Sequence, residues 1–460
     1  MNTAIDLNNQ KPGTAEAIAI IGMGRTGCSL ARFLTRRGIR CVGFDEHDVK
    51  IPADVTIQVH IGPLQPAVLT RFGKVVVSPG IAWNHPVLQR IRAAKVPVVG
   101  DLDLFTEYYQ GTLIAITGTN GKTTTVTMIA TLLETLPEGI EKGGNIGTPM
   151  LDLLAAGQPE RVVLELSSFQ LERSRTIHPT WAALLNIQPD HADAHASPAE
   201  YTAAKFRLFE GQGEGDTALL PADAQFDALA EQLRGRGVWV GRFGITDQSA
   251  EDSSLIAGIE TGSGQLFWRQ QDAFHRVHLA DMPIRGRHQQ LNLAVAAQAA
   301  ASFNVHASII VEAMTTFCGL EHRMQLLTRT AGRAWYDDSK ATNPDAARAA
   351  LESFDRVVWI CGGLLKGLDP APLKPVIRRH VEHAFVIGED GAPFLKVLAA
   401  ADVPATYART LDRAVEMVAA DASSLPVLLS PAAASMDQFK DYAERGRAFA
   451  EAIDRLEGRP

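Results

Sequence analysis

The chain has 460 residues, 46% of them hydrophobic and 21% charged, and at roughly 150 residues per domain this length predicts about three domains. The formal net charge of -8 argues against a nucleic-acid partner and against an anionic membrane surface. The four cysteines lack metal-ligand spacing, and we find neither a signal-peptide pattern nor an apolar stretch of membrane-spanning length. We therefore expect a globular, cytoplasmic, monomeric protein with no nucleic-acid or membrane partner.

Short apolar runs alternate with amphipathic stretches along the chain, which predicts an α/β fold of parallel sheets with helices on their faces. In chain order the predicted elements are a strand at 17–21, a helix at 29–37, strands at 41–44 and 113–117, helices at 126–136 and 292–303, strands at 357–361, 383–387 and 427–430, and a helix at 436–456. The strand and helix rhythm restarts near residue 100 and again near residue 320, which predicts domains at 1–100, 101–319 and 320–460.

A glycine pattern directly after the first strand is typical of a dinucleotide-binding turn. Residues 22–27, Gly-Met-Gly-Arg-Thr-Gly, fit GxGxxG, and Asp45 ends the next strand. The glycines permit a tight turn, the following helix offers N–H groups to a diphosphate, and Asp45 can accept ribose hydroxyls. NAD is the first hypothesis, although the fold binds other nucleotides, and glycines that serve only packing are the alternative.

A second phosphate-binding pattern is present at residues 117–124, Thr-Gly-Thr-Asn-Gly-Lys-Thr-Thr. Lys122 would contact phosphate oxygens and Thr123 would ligate Mg²⁺, although the strict GxxxxGKT pattern fails because Ile116 stands at its first glycine. A GTPase is excluded because NKxD is missing. A dehydrogenase leaves Lys122 unexplained and a kinase leaves Gly22 unexplained, so an enzyme with two nucleotide substrates is favoured.

Further motifs resemble those of the Mur ligases of peptidoglycan synthesis, and among them the glutamate-adding branch. They stand at 117–124, 143–147, 165–172, 186–191, 204–205, 322–323, 338–343 and 430–435. The resemblance implies a UDP-binding Rossmann-like domain, a central P-loop ATPase domain and a C-terminal Rossmann-like domain that binds the amino acid. It also implies that ATP activates the carboxylate of UDP-N-acetylmuramoyl-L-alanine as an acyl phosphate, which the amine of glutamate attacks.

The same resemblance implies the residues of each site. For the UDP substrate they are Gly24, Arg25, Thr26, Asp45, Ser78, Gly80, Asn145, Ser167 and Gln170, and this assignment replaces NAD. For ATP they are Gly118, Thr119, Asn120, Gly121, Lys122, Thr123, Thr124, Asn292, Arg323 and Asp338. For glutamate they are Thr342, Lys366, Ser435 and Tyr442. The catalytic set implied is Lys122, Glu165, His191, Lys205, His322 and Lys340.

Metal ions would reduce the electrostatic repulsion between the anionic groups in that reaction. A triphosphate and a carboxylate must approach each other, and two unit charges about 4 Å apart repel by about 4 kcal/mol at an effective dielectric constant near 20. The resemblance implies that Thr123, Glu165 and His191 hold Mg²⁺ together with Lys205, which would carry a CO₂-derived carbamate.

Several positions depart from the family pattern. Gln289 replaces an Asn in the HNxxN motif, and Met324 and Gln325 replace an aromatic residue and a Glu. Leu364 and Leu365 replace an Asp-Gly pair, and Tyr442 replaces a Phe. Changes near the amino-acid site favour the hypothesis of L-glutamate as substrate, because inverting one stereocentre moves a carboxylate relative to fixed cations.

Several alternatives stay open beside that hypothesis. They are addition of D-glutamate, a different Mur-type ligase such as one adding meso-diaminopimelate, a polyglutamate ligase, a NAD-dependent oxidoreductase and a nonenzymatic nucleotide-binding regulator.

Overall fold

The computed structural model describes residues 17–145, 147–175, 177–188, 197–284, 286–330, 332–421 and 423–457. These residues form three sheets. They also group into two compact units, the first within Met1–Gly258, Trp268–His275 and Ala294–Ile310, the second within Ile259–Phe267, Arg276–Leu293 and Val311–Pro460. The predicted bounds at 1–100, 101–319 and 320–460 stay predictions.

The first sheet has five parallel strands in the order β3-β2-β1-β4-β5. Its strands are β1 Ile18–Ile21, β2 Cys41–Asp45, β3 Val59–Ile61, β4 Lys74–Val77 and β5 Val98–Gly100, with helices α1 Arg25–Arg36, α2 Pro66–Leu69, α3 Pro86–Ala93 and α4 Asp101–Tyr108. The strands are rich in Val and Ile because apolar clusters pack on both faces. The strand order reverses between β1 and β4, so a ligand crevice is expected at the carboxyl ends of those two strands.

The second sheet has nine strands in the order β14-β13-β12-β11-β10-β9-β6-β8-β7. They are β6 Thr112–Thr117, β7 Glu141–Gly144, β8 Arg161–Glu165, β9 Trp181–Leu184, β10 Thr217–Pro221, β11 Trp239–Thr246, β12 Ala257–Glu260, β13 Gln265–Gln270 and β14 Ala273–His278. The accompanying helices are α5 Lys122–Leu133, α6 Ser168–Arg173, α7 Pro198–Phe206, α8 Asp227–Gly235, α9 Arg287–Ser302 and α10 Ala307–Thr316. Because β6 pairs in parallel with both β8 and β9, the phosphate loop that follows β6 lies at a second crevice.

The third sheet lies in the second unit and has the order β15-β16-β20-β17-β18-β19. Its strands are β15 Gln325–Thr330, β16 Arg333–Asp337, β17 Val357–Gly362, β18 Val381–Ile387, β19 Ala405–Arg409 and β20 Val427–Leu429, and its helices are α11 Pro344–Leu351, α12 Lys374–His380, α13 Ala392–Ala400, α14 Leu411–Ala420 and α15 Tyr442–Glu457. Only the edge strand β15 is antiparallel to its neighbour in this sheet. The carboxyl ends of β16, β20 and β17 therefore lie side by side.

The structure confirms the α/β class and shifts some helix bounds. The last helix begins at Tyr442 rather than at 436, because the Ser435 carbonyl accepts the N–H groups of Gln438 and Phe439 in a turn. The Asp441 carboxylate then accepts the Glu444 N–H at 2.8 Å and caps the helix. Among the described residues, no helix has both the length and the apolar character needed to cross a membrane.

Candidate functional site

The glycine turn after β1 lies in the crevice between β1 and β4. Gly22 has φ +88, a left-handed conformation that favours glycine, and the Ser78 hydroxyl donates to its carbonyl oxygen at 2.6 Å. Asp45 is buried, and its two carboxylate oxygens accept the N–H groups of Met23 at 2.7 Å and His47 at 3.0 Å. The predicted ribose acceptor therefore also fixes the shape of the turn.

The first turn of α1 presents its backbone N–H groups beside that crevice. Gly24 is the N-cap residue and no side chain caps the helix, so the positive end of the helix dipole is open to an anion. Arg25 is exposed and donates to the Gly147 carbonyl oxygen at 2.5 Å, while Thr26 is half-buried and Gly80 exposed. A cavity of about 430 Å³ adjoins the turn, with Cys28 in its wall. This geometry fits the predicted diphosphate site.

The phosphate loop begins and ends at glycines in left-handed conformations, Gly118 with φ +156 and Gly121 with φ +85. Lys122 starts α5, and its ammonium group donates to the carbonyl oxygens of Gly118 at 2.7 Å and Thr119 at 2.8 Å. A Cβ on Gly118 would lie 3.0 Å from the Cβ of Leu185, so the residue that follows β9 also restricts that position. The loop thus places its lysine close to its own backbone, and the contact of Lys122 with phosphate oxygens stays a prediction.

Asn186 and Gln188, which follow β9, make hydrogen bonds to the phosphate loop. The Asn186 side chain accepts the Asn120 N–H at 2.9 Å and donates to the Asn120 carbonyl oxygen at 3.0 Å. Gln188 donates its N–H to the Thr119 hydroxyl at 3.0 Å, and the Tyr201 hydroxyl lies 3.1 Å from the same oxygen. Thr119 and Asn120 therefore lie in the loop and their side chains bind protein groups, whereas Thr124 lies buried in the first turn of α5.

Glu165 ends β8 and faces the phosphate loop, where it is buried. The Thr123 hydroxyl donates to one Glu165 carboxylate oxygen at 2.9 Å, and the Asn145 amide donates to the other at 3.3 Å. A hydroxyl and a carboxylate at one point are the hard oxygen ligands that Mg²⁺ prefers, so these residues fit a metal ion. Within the described ranges no group of three His, Cys, Asp or Glu could hold one, and the predicted ligand His191 lies outside those ranges.

Lys205 is 1% exposed, although lysine side chains are almost never fully buried. It lies on α7, donates to the Gly118 carbonyl oxygen at 2.9 Å and stands 4.5 Å from the centre of the Tyr201 ring. Two lysines therefore donate to the same carbonyl of the phosphate loop. The predicted site of carbamylation lies beside the loop that the carbamate would serve.

The Ser167 and Gln170 side chains make a capping box at the start of α6. The Gln170 amide oxygen accepts both the N–H group of Ser167 at 3.1 Å and its hydroxyl at 3.0 Å. Gln170 is also buried, and it hydrogen-bonds Asp101, whose pKa burial raises to about 6. Of the two predicted substrate contacts, Ser167 is the more accessible.

In the third sheet, predicted catalytic residues follow β16 and precede β15. His322 Nδ1 lies 2.6 Å from a carboxylate oxygen of buried Asp337, and Lys340 donates its N–H to the His322 carbonyl oxygen at 3.0 Å. Asp338 accepts from the Ser430 hydroxyl at 2.8 Å and from the N–H of Met324 at 3.2 Å. Burial, with a smaller contribution from Asp337, raises the pKa of Asp338 to about 7.

Helix α15 holds these loops through a residue that motif reasoning missed. Arg445 is 1% exposed, and its guanidinium donates to the Ser339 hydroxyl at 3.0 Å, the Ser339 carbonyl oxygen at 2.8 Å and the Ala433 carbonyl oxygen at 3.1 Å. The adjacent Gly446 packs on His322, since a Cβ there would lie 2.1 Å from its Nδ1. The sequence did contain one signal for a buried Arg445: it stands four residues before Phe449, which places both side chains on the same, apolar face of the helix.

The residues predicted for glutamate lie on neighbouring loops of the third sheet. Leu364 and Ala434 exchange two backbone hydrogen bonds of 2.9 Å, which pairs the loop of exposed Lys366 with the loop of buried Ser435. The Lys340 ammonium stands 3.6 Å from the centre of the Tyr442 ring.

The remaining predicted contacts are Thr342 for glutamate and Asn292 for ATP. The backbone N–H of half-buried Thr342 donates to the Lys340 carbonyl oxygen. On α9, Asn292 and Gln289 are buried, and the Gln289 amide oxygen has no hydrogen-bond partner in the described part of the chain.

Family models match three successive segments of the chain. They are a MurD-like N-terminal domain at residues 16–100, a Mur ligase middle domain at 116–300 and a glutamate ligase domain at 322–433. Relatives named UDP-N-acetylmuramoylalanine–D-glutamate ligase include one from Trichlorobacter lovleyi, 36% identical over 95% of this chain and 98% of its own, and one from Caulobacter vibrioides, 36% identical over 96% of both chains. The chain belongs to the Mur ligase family.

Solved Mur ligases share the fold of this family member. A MurF ligase from Thermotoga maritima in complex with ADP aligns with a TM-score of 0.60 over 96% of this chain and 95% of its own, at 15% identity. A UDP-N-acetylmuramate-alanine ligase from the same organism aligns with a TM-score of 0.57 over 96% and 99%, at 18% identity. The predicted three-domain Mur ligase architecture and the predicted class, an ATP-dependent ligase, are confirmed.

Proposed function

We propose that this Mur ligase uses ATP to join glutamate to UDP-N-acetylmuramoyl-L-alanine in the cytoplasm, through an acyl phosphate. The observation that carries the proposal is the meeting of Lys122, Thr123 and Glu165 at the ends of β6 and β8, in a chain similar over its whole length to glutamate ligases. The glycine turn after β1 supplies a second nucleotide site, as a reaction with two nucleotide substrates requires.

Each residue of the phosphate site has a definable task. The backbone N–H groups of the loop bind phosphate oxygens, and Lys122 places a cation beside them. Bound Mg²⁺ would neutralise the charge that builds up between triphosphate and carboxylate, with Thr123, Glu165 and His191 as its ligands. Asn145 donates to Glu165 and so fixes the orientation of that carboxylate.

Binding of ATP would also engage residues of α9 and of the third sheet. The amide oxygen of Gln289, which has no partner among the described residues, and the amide of Asn292 offer contacts to the adenine base. Arg323 and Lys340 offer cations to phosphate. His322 would be held in orientation by Asp337, in the way a carboxylate orients a catalytic imidazole. Thr342, Lys366, Ser435 and Tyr442 would receive glutamate.

The isomer of glutamate separates two candidate functions. D-glutamate is better supported, because the similar proteins are named as D-glutamate ligases. The preferred sequence hypothesis of L-glutamate has no support from these relatives and is the second candidate. The observation in its favour is that Leu364, 44% exposed beside Lys366, stands where a polar residue is expected.

One experiment tests both candidates. Purified protein is given ATP, Mg²⁺ and UDP-N-acetylmuramoyl-L-alanine with D-glutamate, L-glutamate or meso-diaminopimelate, and phosphate release and product mass are followed. D-glutamate alone as substrate establishes the first candidate, and L-glutamate alone establishes the second. Absence of phosphate release with every amino acid contradicts the proposal as a whole.

We also propose that Lys205 carries a carbamate. The lysine ammonium would lose one proton, and the resulting amine would add to the carbon of CO₂ and lose a second proton, which exchanges a buried cation for an anion beside the phosphate loop. The support is its burial and its hydrogen bond to the Gly118 carbonyl. Protein equilibrated with ¹³C-labelled bicarbonate should show a carbamate carbon resonance that Lys205→Arg abolishes; the same resonance in both proteins would contradict the assignment.

A further inference from the structure

Arg173, the last residue of α6, is a buried cation that contacts the first sheet. It is 4% exposed, and its guanidinium donates through Nη1 to the Ser78 carbonyl oxygen and through Nη2 to the Ile81 carbonyl oxygen, both at 2.6 Å. These two carbonyls are the ends of the loop 78–81, which follows β4. Arg173 therefore spans the loop and fixes the distance between its ends.

The hydrogen bonds continue from this loop into the glycine turn. Ser78 accepts from Arg173 at its carbonyl, and its hydroxyl donates to the Gly22 carbonyl oxygen at 2.6 Å. The other end of α6 is the capping box of Ser167, which begins two residues after Glu165. One short helix thus joins the strand that carries a proposed metal ligand to the turn proposed for the diphosphate.

The electrostatics of Arg173 favour a positioning role over a purely stabilising one. No carboxylate in the described residues lies within salt-bridge distance of its guanidinium, and its Nε has no hydrogen-bond partner there. Burial lowers the pKa of Arg173 to about 10 and raises that of neighbouring Asp101 to about 6. A cation held chiefly by carbonyl dipoles bears a desolvation penalty that an apolar side chain would avoid.

Close packing also fixes the position of the Arg173 Cβ. A Cβ on Gly100 would lie 3.2 Å from the Arg173 Cβ, so only a residue without a side chain leaves normal room at the end of β5. The Arg173 guanidinium lies 5.8 Å from the centre of the Trp83 ring, which Arg92 covers at 4.0 Å. The arginine is therefore enclosed on several sides, and its direction toward Ser78 is constrained.

We propose that Arg173 is a positioning residue for the UDP substrate: by bridging the Ser78 and Ile81 carbonyls it holds the loop that, through Ser78, shapes the Gly22 turn. This inference rests on the proposed function in placing the uridine diphosphate at that turn. A positioning residue changes affinity for the ligand of its own loop and leaves the affinity for ATP unchanged.

The test is Arg173→Lys, because lysine keeps the charge but cannot bridge two carbonyls with a planar fork. Calorimetry with UDP alone should show about tenfold weaker binding, the equivalent of about 1.4 kcal/mol. KM for the UDP substrate should rise by a similar factor, with KM for ATP and kcat within about twofold. Arg175→Lys is the matched control, since Arg175 is exposed two residues further along.

Ser78→Ala provides a second route if Arg173→Lys does not fold. Ser78→Ala removes the hydroxyl bond to Gly22 and should also weaken UDP binding. The double variant should lose less UDP binding free energy than the sum of the losses in the two single variants. UDP affinity unchanged in a folded Arg173→Lys, or in Ser78→Ala when the lysine variant is unfolded, overturns the inference. If wild-type protein binds no UDP, the proposed function itself fails at this site, and the inference with it.

Discussion

The phosphate loop of the second sheet and the ligand loops of the third sheet are held in place in different ways. In the phosphate loop, the Lys122 ammonium donates hydrogen bonds to carbonyl oxygens three and four positions earlier. The Asn186 amide makes hydrogen bonds with both the N–H and the carbonyl oxygen of Asn120. In the third sheet, Arg445 bonds Ser339, 106 positions earlier, from a helix that contributes no predicted catalytic group. The bonds that Lys122 makes within its own loop appear in a sequence as a motif, whereas a bond from a side chain 106 positions away does not.

The largest expected effect concerns the local site. Lys122→Ala removes the cation of the phosphate loop, and loss of one preorganised electrostatic group costs about 100- to 1000-fold in turnover. Circular dichroism should be unchanged, because the bonds lost lie within the loop. Phosphate release is the measurement, and Lys142→Ala, at an exposed lysine on β7, is the control. More than a tenth of wild-type activity in Lys122→Ala would refute the role.

The next effect tests the distant contact. Arg445→Lys leaves at least one of the bonded groups of Ser339 and Ala433 unpaired in a buried site, which should lower the free energy of unfolding by about 3 kcal/mol. Hydrogen exchange should become faster in the loops 337–342 and 430–435. Arg447→Lys on the exposed face of α15 should change neither property. Equal urea midpoints for the two variants would show that Arg445 does not hold the loops.

The buried carboxyl of the third sheet makes stability depend on pH. Because the pKa of Asp338 is about 7 in the folded protein against an ordinary value of 3.8, the folded state binds the proton more tightly. Its contribution to stability is therefore present at low pH and lost as the pH rises through 7.

Asp338→Asn should remove that pH dependence. The variant should gain about 2 to 3 kcal/mol relative to wild type between about pH 5 and pH 8. Urea unfolding at several pH values measures the difference. A constant difference across this range would show that the carboxyl titrates normally.

The smallest expected effect concerns the anchor of the phosphate loop. Asn186→Ala removes two hydrogen bonds from the Asn120 backbone, at about 1 kcal/mol each or less, and should raise KM for ATP about tenfold. Gln188→Ala removes an exposed hydrogen bond to the Asn120 side chain. It should raise KM for ATP by less than half the factor expected for Asn186→Ala. A larger effect at Gln188 would reverse the assignment of the anchor.

The sequence predicts well the features that depend on residues close together in the chain or at the ends of adjacent strands. Both glycine turns follow strands as their patterns require, and Thr123 meets Glu165 where adjacent parallel strands end. The α/β class and the family follow from the same local signals. The role of His191 and the isomer of glutamate stay predictions.

Long-range contacts limit the rest of the prediction. Nothing in the spacing of Arg173 indicates that it would contact Ser78, 95 positions earlier, because that contact depends on how two sheets pack. Likewise Asp45 and Gln170 bind backbone and side-chain groups of the protein itself, a use that residue type does not reveal. The last helix starts later than predicted because the turn at Ser435 precedes it, whereas the helices predicted from 29, 126 and 292 start four or five residues earlier than predicted.

The position of α15 at the end of the described chain has a consequence for biosynthesis. Since a ribosome makes the protein from its N-terminus, every other described element is synthesised before Arg445 and Gly446 emerge. The residues that hold the phosphate loop, Asn186 and Lys205, are made before α15, whereas the bonds of Arg445 to Ser339 and Ala433 form only after α15 has been made. The ligand loops of the third sheet are therefore the last part of the candidate site to gain their hydrogen bonds as the chain is made.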